Sequence, residues 1–334
     1  MSSVVAGPAA SGGVLSGVLR SPWLSFAVRR LGRFAVSLWV VVTAAFVMIH
    51  LIPGDPVRSA LGMTAPVAAV NARRHALGLD DGLLTQYWHY LRSLAAGDFG
   101  TSMLSDLPVS RQIADRLPAT AQLALAAFAV AMVIAVPVGV AMAALTRGGR
   151  RKGAELAFTS TSVLLAAIPE FLLAVGLVYV FSVHLGWFPV AGRGAMSSYV
   201  LPVLALAAQP AAVLARIVRV EMLAVLGQDF VRTARAKRLR APRVYVRHAL
   251  PNALTATLTM GGLVLTGLVA GTVLVENVFA WPGLGSTIVQ SIQSKDYPVV
   301  QAVVLVYGIG VLTVNLLVDV VLAVLDPRST IRGA

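Results

Sequence analysis

Long apolar runs alternate with polar connections along this chain. Six runs stand out, at about residues 34–52, 119–145, 156–183, 199–217, 253–275 and 299–325. The first, 19 residues long, covers about 28 Å as a helix, the depth of the hydrocarbon core of a bilayer. The pattern predicts an all-α, polytopic membrane protein with six transmembrane helices. Residues 1–25 read as a flexible tail and 26–334 as one transmembrane domain. A loop over 53–118, a basic loop over 218–252 and a shorter connection over 276–298 separate the spans.

Each polar stretch has a local pattern. Within 53–118, residues 75–94 carry aromatic and leucine positions at helical spacing, suited to packing or interfacial anchoring. Residues 221–239 show a helical pattern in which Met222, Leu226, Phe230 and Val231 make one apolar stripe opposite most of the arginines. Pro242 ends that pattern, and a second short helix from Arg243 re-enters the membrane near Pro251. Between the last two spans, Trp281-Pro282-Gly283 reads as a turn with an interfacial aromatic, and residues 286–294 as a short helix.

Composition and charge support the membrane reading. The 334 residues are 57% hydrophobic and 12% charged, with a mean hydropathy of +0.81, far too apolar for a soluble domain of this size. The formal charge of +13 invites a nucleic-acid reading, but the cations cluster between apolar runs and not along one soluble face. With both termini in the cytoplasm, 19 Lys and Arg residues fall inside and 8 outside, as the positive-inside rule requires. The residues before Arg20 lack the basic start of a secretory signal. The chain has no Cys, which excludes disulfides, thiolate metal sites and thiol nucleophiles.

A few polar residues stand inside or beside the apolar runs. Glu170 follows Ile168-Pro169 in the third run, where an isolated carboxylate is costly. It either lines a pathway or sits where Pro169 opens the backbone beside an aqueous cavity or helix partner. Asn315 and Asp319 lie four apart on one face of the last span, placed to bond each other or a neighbouring helix. GVAMAA in the second span and GGLVLTG in the fifth read as sites of close helix packing. No GxxxxGK[ST] motif supplies a phosphate cradle. No His pair has zinc-ligand spacing, and no nucleophile and base can be matched.

The basic loop carries a recognisable string. It resembles the cytoplasmic loop of permease subunits in ATP-binding-cassette importers, whose signature is Glu-Ala-Ala, three residues, Gly, nine residues, Ile-x-Leu-Pro. Arg232, Thr233 and Ala234 occupy the opening, Arg238 stands where Gly is expected, and His248-Ala249-Leu250-Pro251 closes the motif. The stretch Arg232 to Leu239 is similar to the Arg-Thr-Ala-Arg-Ala-Lys-Gly-Leu opening of the peptide-importer branch, with Arg238 as the departure. A Gly there suits a left-handed turn, so Arg238 implies either right-handed angles or modest strain. IPGDPV, LGLD, GDFGTS and RLPAT, in this order before the second span, resemble the B-type subunit of dipeptide and oligopeptide importers. ENVFAWPGLGSTIVQSIQSKDYP and NLLVDVVLAVLDPR are similar to the family's later segments.

The resemblance implies a type I importer permease fold with cytoplasmic termini, located in the bacterial plasma membrane. It implies half of a translocation pathway for dipeptides or short oligopeptides, with nickel, haem and other small ligands left open. The expected partners are a second homologous permease, one or two ATPases, an extracytoplasmic substrate-binding protein and the lipid membrane, with no nucleic acid. ATP and Mg²⁺ would belong to the ATPases, leaving this chain without cofactor, metal or catalytic residues. The coupling element would run over residues 230–246. Its contact residues would be Asp229, Phe230, Arg232, Thr233, Ala234, Arg235, Ala236, Lys237, Arg238, Leu250 and Pro251. Glu170, Trp281, Pro282 and Gly283 are candidates for the pathway and outer gate; Asn315 and Asp319 are candidates for helix packing. The alternative is an ion-driven secondary transporter of small solutes, which should show paired membrane carboxylates or repeated halves.

Overall fold

The computed structural model describes residues 22–51, 57–58, 65–76 and 78–325. The expected tail up to Ser21, most of the Ile52–Val57 segment, Leu77 of LGLD and the closing Asp326-Pro327-Arg328 lie outside the described residues.

The described chain is helical in almost every segment, and its one β-type pairing is the isolated bridge between Thr101 and Pro108. Helix α1 runs Pro22–Leu51, so the last four residues of the expected tail are already helical. Two short helices follow, α2 (Val67–Ala76) and α3 (Leu83–Ala95). The single helical pattern read over 75–94 is therefore broken, at a turn where Gly78 takes a φ of 64°. Helix α4 (Val109–Thr146) begins ten residues before the expected second span and is 38 residues long.

The third apolar run is not a straight span. Helix α5 (Lys152–Ala167) and helix α6 (Glu170–Leu177), which continues as a π-helical segment Val178–His184, meet at 95°. Pro169 causes the break: it has no N–H to donate and holds Ile168 extended, at φ −75° and ψ 122°. The remaining elements are α7 (Val200–Leu226), α8 (Asp229–Ala236), a single turn α9 (Ala241–Arg243), α10 (Leu250–Val278), α11 (Leu284–Gln293) and α12 (Tyr297–Leu325). A π-helical stretch Val244–Ala249 joins α9 to α10. Helices α1, α4, α7, α10 and α12 are each long and apolar enough to span a membrane, and the bent α5–α6 pair makes a sixth candidate.

Small residues decide which helices touch. Lipid tails are as apolar as leucine, so membrane helices associate by close packing more than by exclusion of water. Helix α4 buries Ala127, Ala131, Ala135, Gly139 and Ala143, four apart along one stripe, and presents it to α7. A Cβ at Gly139 would stand 2.6 Å from that of Val218. Likewise, a Cβ at Gly262 on α10 would run into Val318 on α12. The glycine runs in the second and fifth spans therefore mark helix crossings.

One core cluster gathers α4, α6, α7 and α10 around Leu123, Leu201, Leu206, Phe279 and Trp281. A second closes the basic end of the bundle with Met222, Val225, Val231, Val244 and Ala249. Helix α1 stands apart from both. It leans on α12, through Gln301 Nε2 to Ala45 O at 3.1 Å and Arg30 to Asp319 at 2.7 Å. Its outer part meets α3 through Thr43 to Tyr87 and His50 to Gln86, while Val36, Trp39, Val40 and Val47 are exposed.

Candidate functional site: the basic loop, the Trp281 loop and the Glu170 cavity

At the basic end the chain leaves α7 at Gly227-Gln228, so the helix expected over 221–239 is two helices. The break changes which side chains face out. Val231 and Ala234 turn into the core beside Met222 and Leu226, whereas Phe230 is 40% exposed. Phe230 does not belong to the inward apolar stripe. Helix α8 presents Asp229, Phe230, Arg232, Thr233 and Ala236 to the outside, with Arg235 half-buried. Arg232 reaches Asp229 at 3.2 Å on that open face. The coupling element expected as one piece over 230–246 is α8, a turn at 237–240, and α9 with its π-helical continuation. Leu250 and Pro251 form the first turn of α10, behind the buried Ala249.

Arg238 answers the question its position poses. Its φ is 55°, in the left-handed region. Arg238 N donates to Arg235 O at 2.8 Å and Leu239 N to Ala234 O at 3.4 Å, the paired bonds that close a helix through a left-handed residue, where glycine is favoured. Leu239 then packs on the buried cluster. Arg238→Gly is expected to remove the strain of the Cβ and stabilise the loop by about 1 kcal/mol, read as a higher midpoint in thermal unfolding of the detergent-solubilised protein.

At the opposite end, Trp281 is fully buried and is not an interfacial anchor. Its Nε1 donates to Ala119 O on α4 at 3.1 Å, and Tyr199 meets its ring edge-on at 4.6 Å between centroids. Arg193 lies 5.9 Å from the ring while donating to Tyr199 Oη and Gln122 Oε1. Beneath this loop Glu276 is wholly buried. Thr120 Oγ1 donates to its Oε1 at 2.7 Å, and the N–H groups of Gly285 and Ser286 donate to Oε2 at 2.7 and 3.1 Å. Glu276 thus caps the first turn of α11 from the end of α10, satisfying two of the N–H groups that a helix start leaves free. Gly285 is required there, because a Cβ would lie 2.5 Å from the α-carbon of Val273. Sequence reasoning placed Glu276 in a loop. The signal available was its string with Pro282-Gly283 and Gly285, which permits a tight return of the chain.

Glu170 opens α6, where a carboxylate in the first turn is favoured by the helix dipole. The carbonyl of Ala166, freed by the Pro169 break, accepts from Gln209 Nε2 at 3.0 Å. The Glu170 carboxylate rests over Gly271 of α10, so that a Cβ there would come within 2.8 Å of both its oxygens. With Gln209, Val213, Val264, Gly267 and Leu268 it lines a cavity of about 260 Å³. The two residues of the last span do not bond each other. Asn315 accepts from Thr266 Oγ1 of α10 at 2.9 Å, and Asp319 pairs with Arg30 of α1. Neither Trp281 nor its neighbours share the Glu170 cavity.

This six-helix arrangement has known counterparts. The family model described as "Binding-protein-dependent transport system inner membrane component" matches residues 135–331, and its N-terminal companion matches residues 23–124. The chain belongs to this family. The permease is 40% identical over 305 residues to the glutathione transport system permease protein GsiC of Pectobacterium atrosepticum, spanning 91% of this chain and 98% of that protein. It is 38% identical over 304 residues to the protein of the same name from Escherichia coli strain K12, with the same coverage. A solved structure titled as inward facing conformations of the MetNI methionine ABC transporter superposes with a TM-score of 0.52 at 19% identity. It covers 64% of this chain and 96% of that one, and shows the fold alone.

The permease is therefore a multi-pass inner-membrane subunit of an ABC importer, a transport subunit and not an enzyme. Membership brings an ATPase and a substrate-binding protein as partners. It leaves the ion-driven alternative without support.

Proposed function

We propose that this chain forms half of a passage for short peptides, paired with a second, similar permease, and that α8 is the element its ATPases push. The observation that carries the substrate class is the 40% identity, over nearly the full length, to permeases named for glutathione, a tripeptide. Coupling through α8 draws support from its geometry. Its inner residues Val231 and Ala234 are locked into the same buried cluster as Met222 and Val244. A push on the outer residues Phe230, Arg232, Thr233 and Arg235 is thus transmitted to α7 and α10 and not lost in a loose loop. Such a two-state element gives nucleotide binding and passage opening a shared coupling free energy. Its cations steer docking more than they fix affinity.

In this reading the Glu170 cavity belongs to the passage, and its carboxylate attracts the amino terminus of the peptide. Asn315 and Asp319 hold α12 to α10 and α1. Arg193, Gln122 and Tyr199 brace Trp281, which makes the Trp281-Pro282-Gly283 loop a rigid lip of the outer gate.

Two measurements test the proposal. An ATPase co-expressed from a neighbouring gene should co-purify with the unaltered chain and be largely lost from an Arg235→Glu, Arg238→Glu double variant. Equal recovery from both would place the docking site elsewhere. Glutathione uptake by the reconstituted importer, suppressed by excess unlabelled tripeptide, tests the substrate class.

A further inference from the structure

Several charged groups in and beside the spans are matched to partners. Asp319 has Arg30, Arg219 has Glu155 and the hydroxyl of Thr146, and Glu276 has three donors. Among the half-buried charges, Glu170, Arg216, Glu221 and Arg116 have no ion-pair partner among the described residues. Arg116 lies in the first turns of α4 and Glu221 about 120° around α7 from Gln209, which leaves Glu170 and Arg216 at the cavity side. Both are half-buried, and both lie in helices of the membrane bundle. An unpaired charge at such depth is costly, and where it is retained it marks a pathway.

The two positions are related by α7. Gln209 and Val213 line the Glu170 cavity, and Arg216 follows them on the same helix. At 100° per residue, Gln209, Val213 and Arg216 fall within about 60° of one another. Arg216 therefore continues the cavity-facing side of α7 towards the basic end. Gln209 binds the carbonyl of Ala166 beside the Pro169 break, which sets Glu170 at its level. From Gln209 to Arg216 the helix rises about 10 Å, and an extended tripeptide spans about 10 Å. Along this side of α7 the bundle thus offers an anion, from α6, and a cation, from α7 itself, with about the length of a short peptide between their levels.

We propose that Glu170 and Arg216 form a two-point track for zwitterionic short peptides, Glu170 taking the terminal ammonium and Arg216 the terminal carboxylate. The assignment rests on the peptide reading above and makes Arg216 a specificity-determining residue of the permease. A guanidinium suits this role because its planar fork meets a carboxylate through two parallel hydrogen bonds. The cost of an unpaired charge is then removed only when a ligand with free ends is present, which gives preference for zwitterions over blocked peptides.

The test uses the whole importer in liposomes, with its binding protein held constant. The probes are tri-alanine, its C-terminal amide and its N-acetyl form. Arg216→Gln is expected to lower the uptake ratio of tri-alanine to its amide about tenfold, the loss of one charge-assisted contact, while leaving the ratio to the N-acetyl form unchanged. Glu170→Gln is expected to do the reverse, and Arg216→Lys to recover most of the carboxylate preference. Equal loss for all three probes, an unchanged amide ratio in Arg216→Gln, or failure of both Arg216 variants to assemble would overturn the track and assign Arg216 to packing or to lipid. Uptake of neither tri-alanine nor glutathione by the unaltered importer would instead overturn the peptide reading, and the track with it.

Discussion

Glu276→Ala is expected to lower the stability of the permease by about 3–5 kcal/mol and to abolish uptake. The carboxylate is wholly buried and accepts from Thr120 Oγ1 and from the N–H groups of Gly285 and Ser286. Removing it leaves three donors without a partner in an apolar interior, each at a cost of about 1–3 kcal/mol before relaxation. Water entering the space left behind would recover part of that. The first turn of α11 then loses its tie to α10 and α4, so the loop at the outer end loses its fixed position. Glu276→Gln keeps one acceptor oxygen and the shape, but points an amide N–H at donors. A smaller loss of about 1–2 kcal/mol is expected. Thermal unfolding in detergent with parallel uptake assays checks both. An Ala variant as stable as the unaltered permease would show that the cap carries no weight.

Trp281→Ala is the second large expectation. The indole is fully buried, donates to Ala119 O, and stacks edge-on with Tyr199 under Arg193. Its removal opens a cavity where α4, α7 and α10 meet and takes away the indole N–H that ties the loop to Ala119 O of α4, for an expected loss of about 3–5 kcal/mol. Trp281→Phe refills most of the volume but not the hydrogen bond, and about 1–2 kcal/mol is expected. Were Trp281 an interfacial anchor, the Ala variant would unfold near the normal temperature. The position of the unfolding midpoint therefore separates the buried role from the surface one.

These two residues also mark where the sequence was hard to read. A tryptophan beside Pro282-Gly283 after an apolar run has the same local pattern whether it sits at the membrane surface or inside the bundle. Its burial depends on Ala119 and Tyr199, which are far from it in the chain. Glu276 looked like the first polar residue of a loop, because α10 had to be followed three residues past the apolar run, to Val278, to keep it in the helix. Arg238 was different. The motif named the position, and the choice between right- and left-handed backbone was explicit, but only the coordinates gave the φ of 55°.

Arg216 was visible throughout as a cation within the run at 199–217. Its meaning was hidden by the basic loop that begins just after it. Only the matching of Arg219 to Glu155 left Arg216 as the unpaired cation of that helix.

What the sequence by itself determined is the membrane class, the six apolar runs, the basic loop with its motif and the family. These follow from one-dimensional requirements: a span needs some 20 apolar residues, cations stay on one side, and a motif is a spacing. Pro169 marked the break in the third run, but tertiary structure alone decided that its two halves meet at 95°, that the chain breaks between α7 and α8 and turns Phe230 outward, and that Glu276 joins α11. Each of these depends on which distant groups satisfy a freed backbone atom or cover a side chain. No local pattern encodes that choice, because the partner lies on another helix.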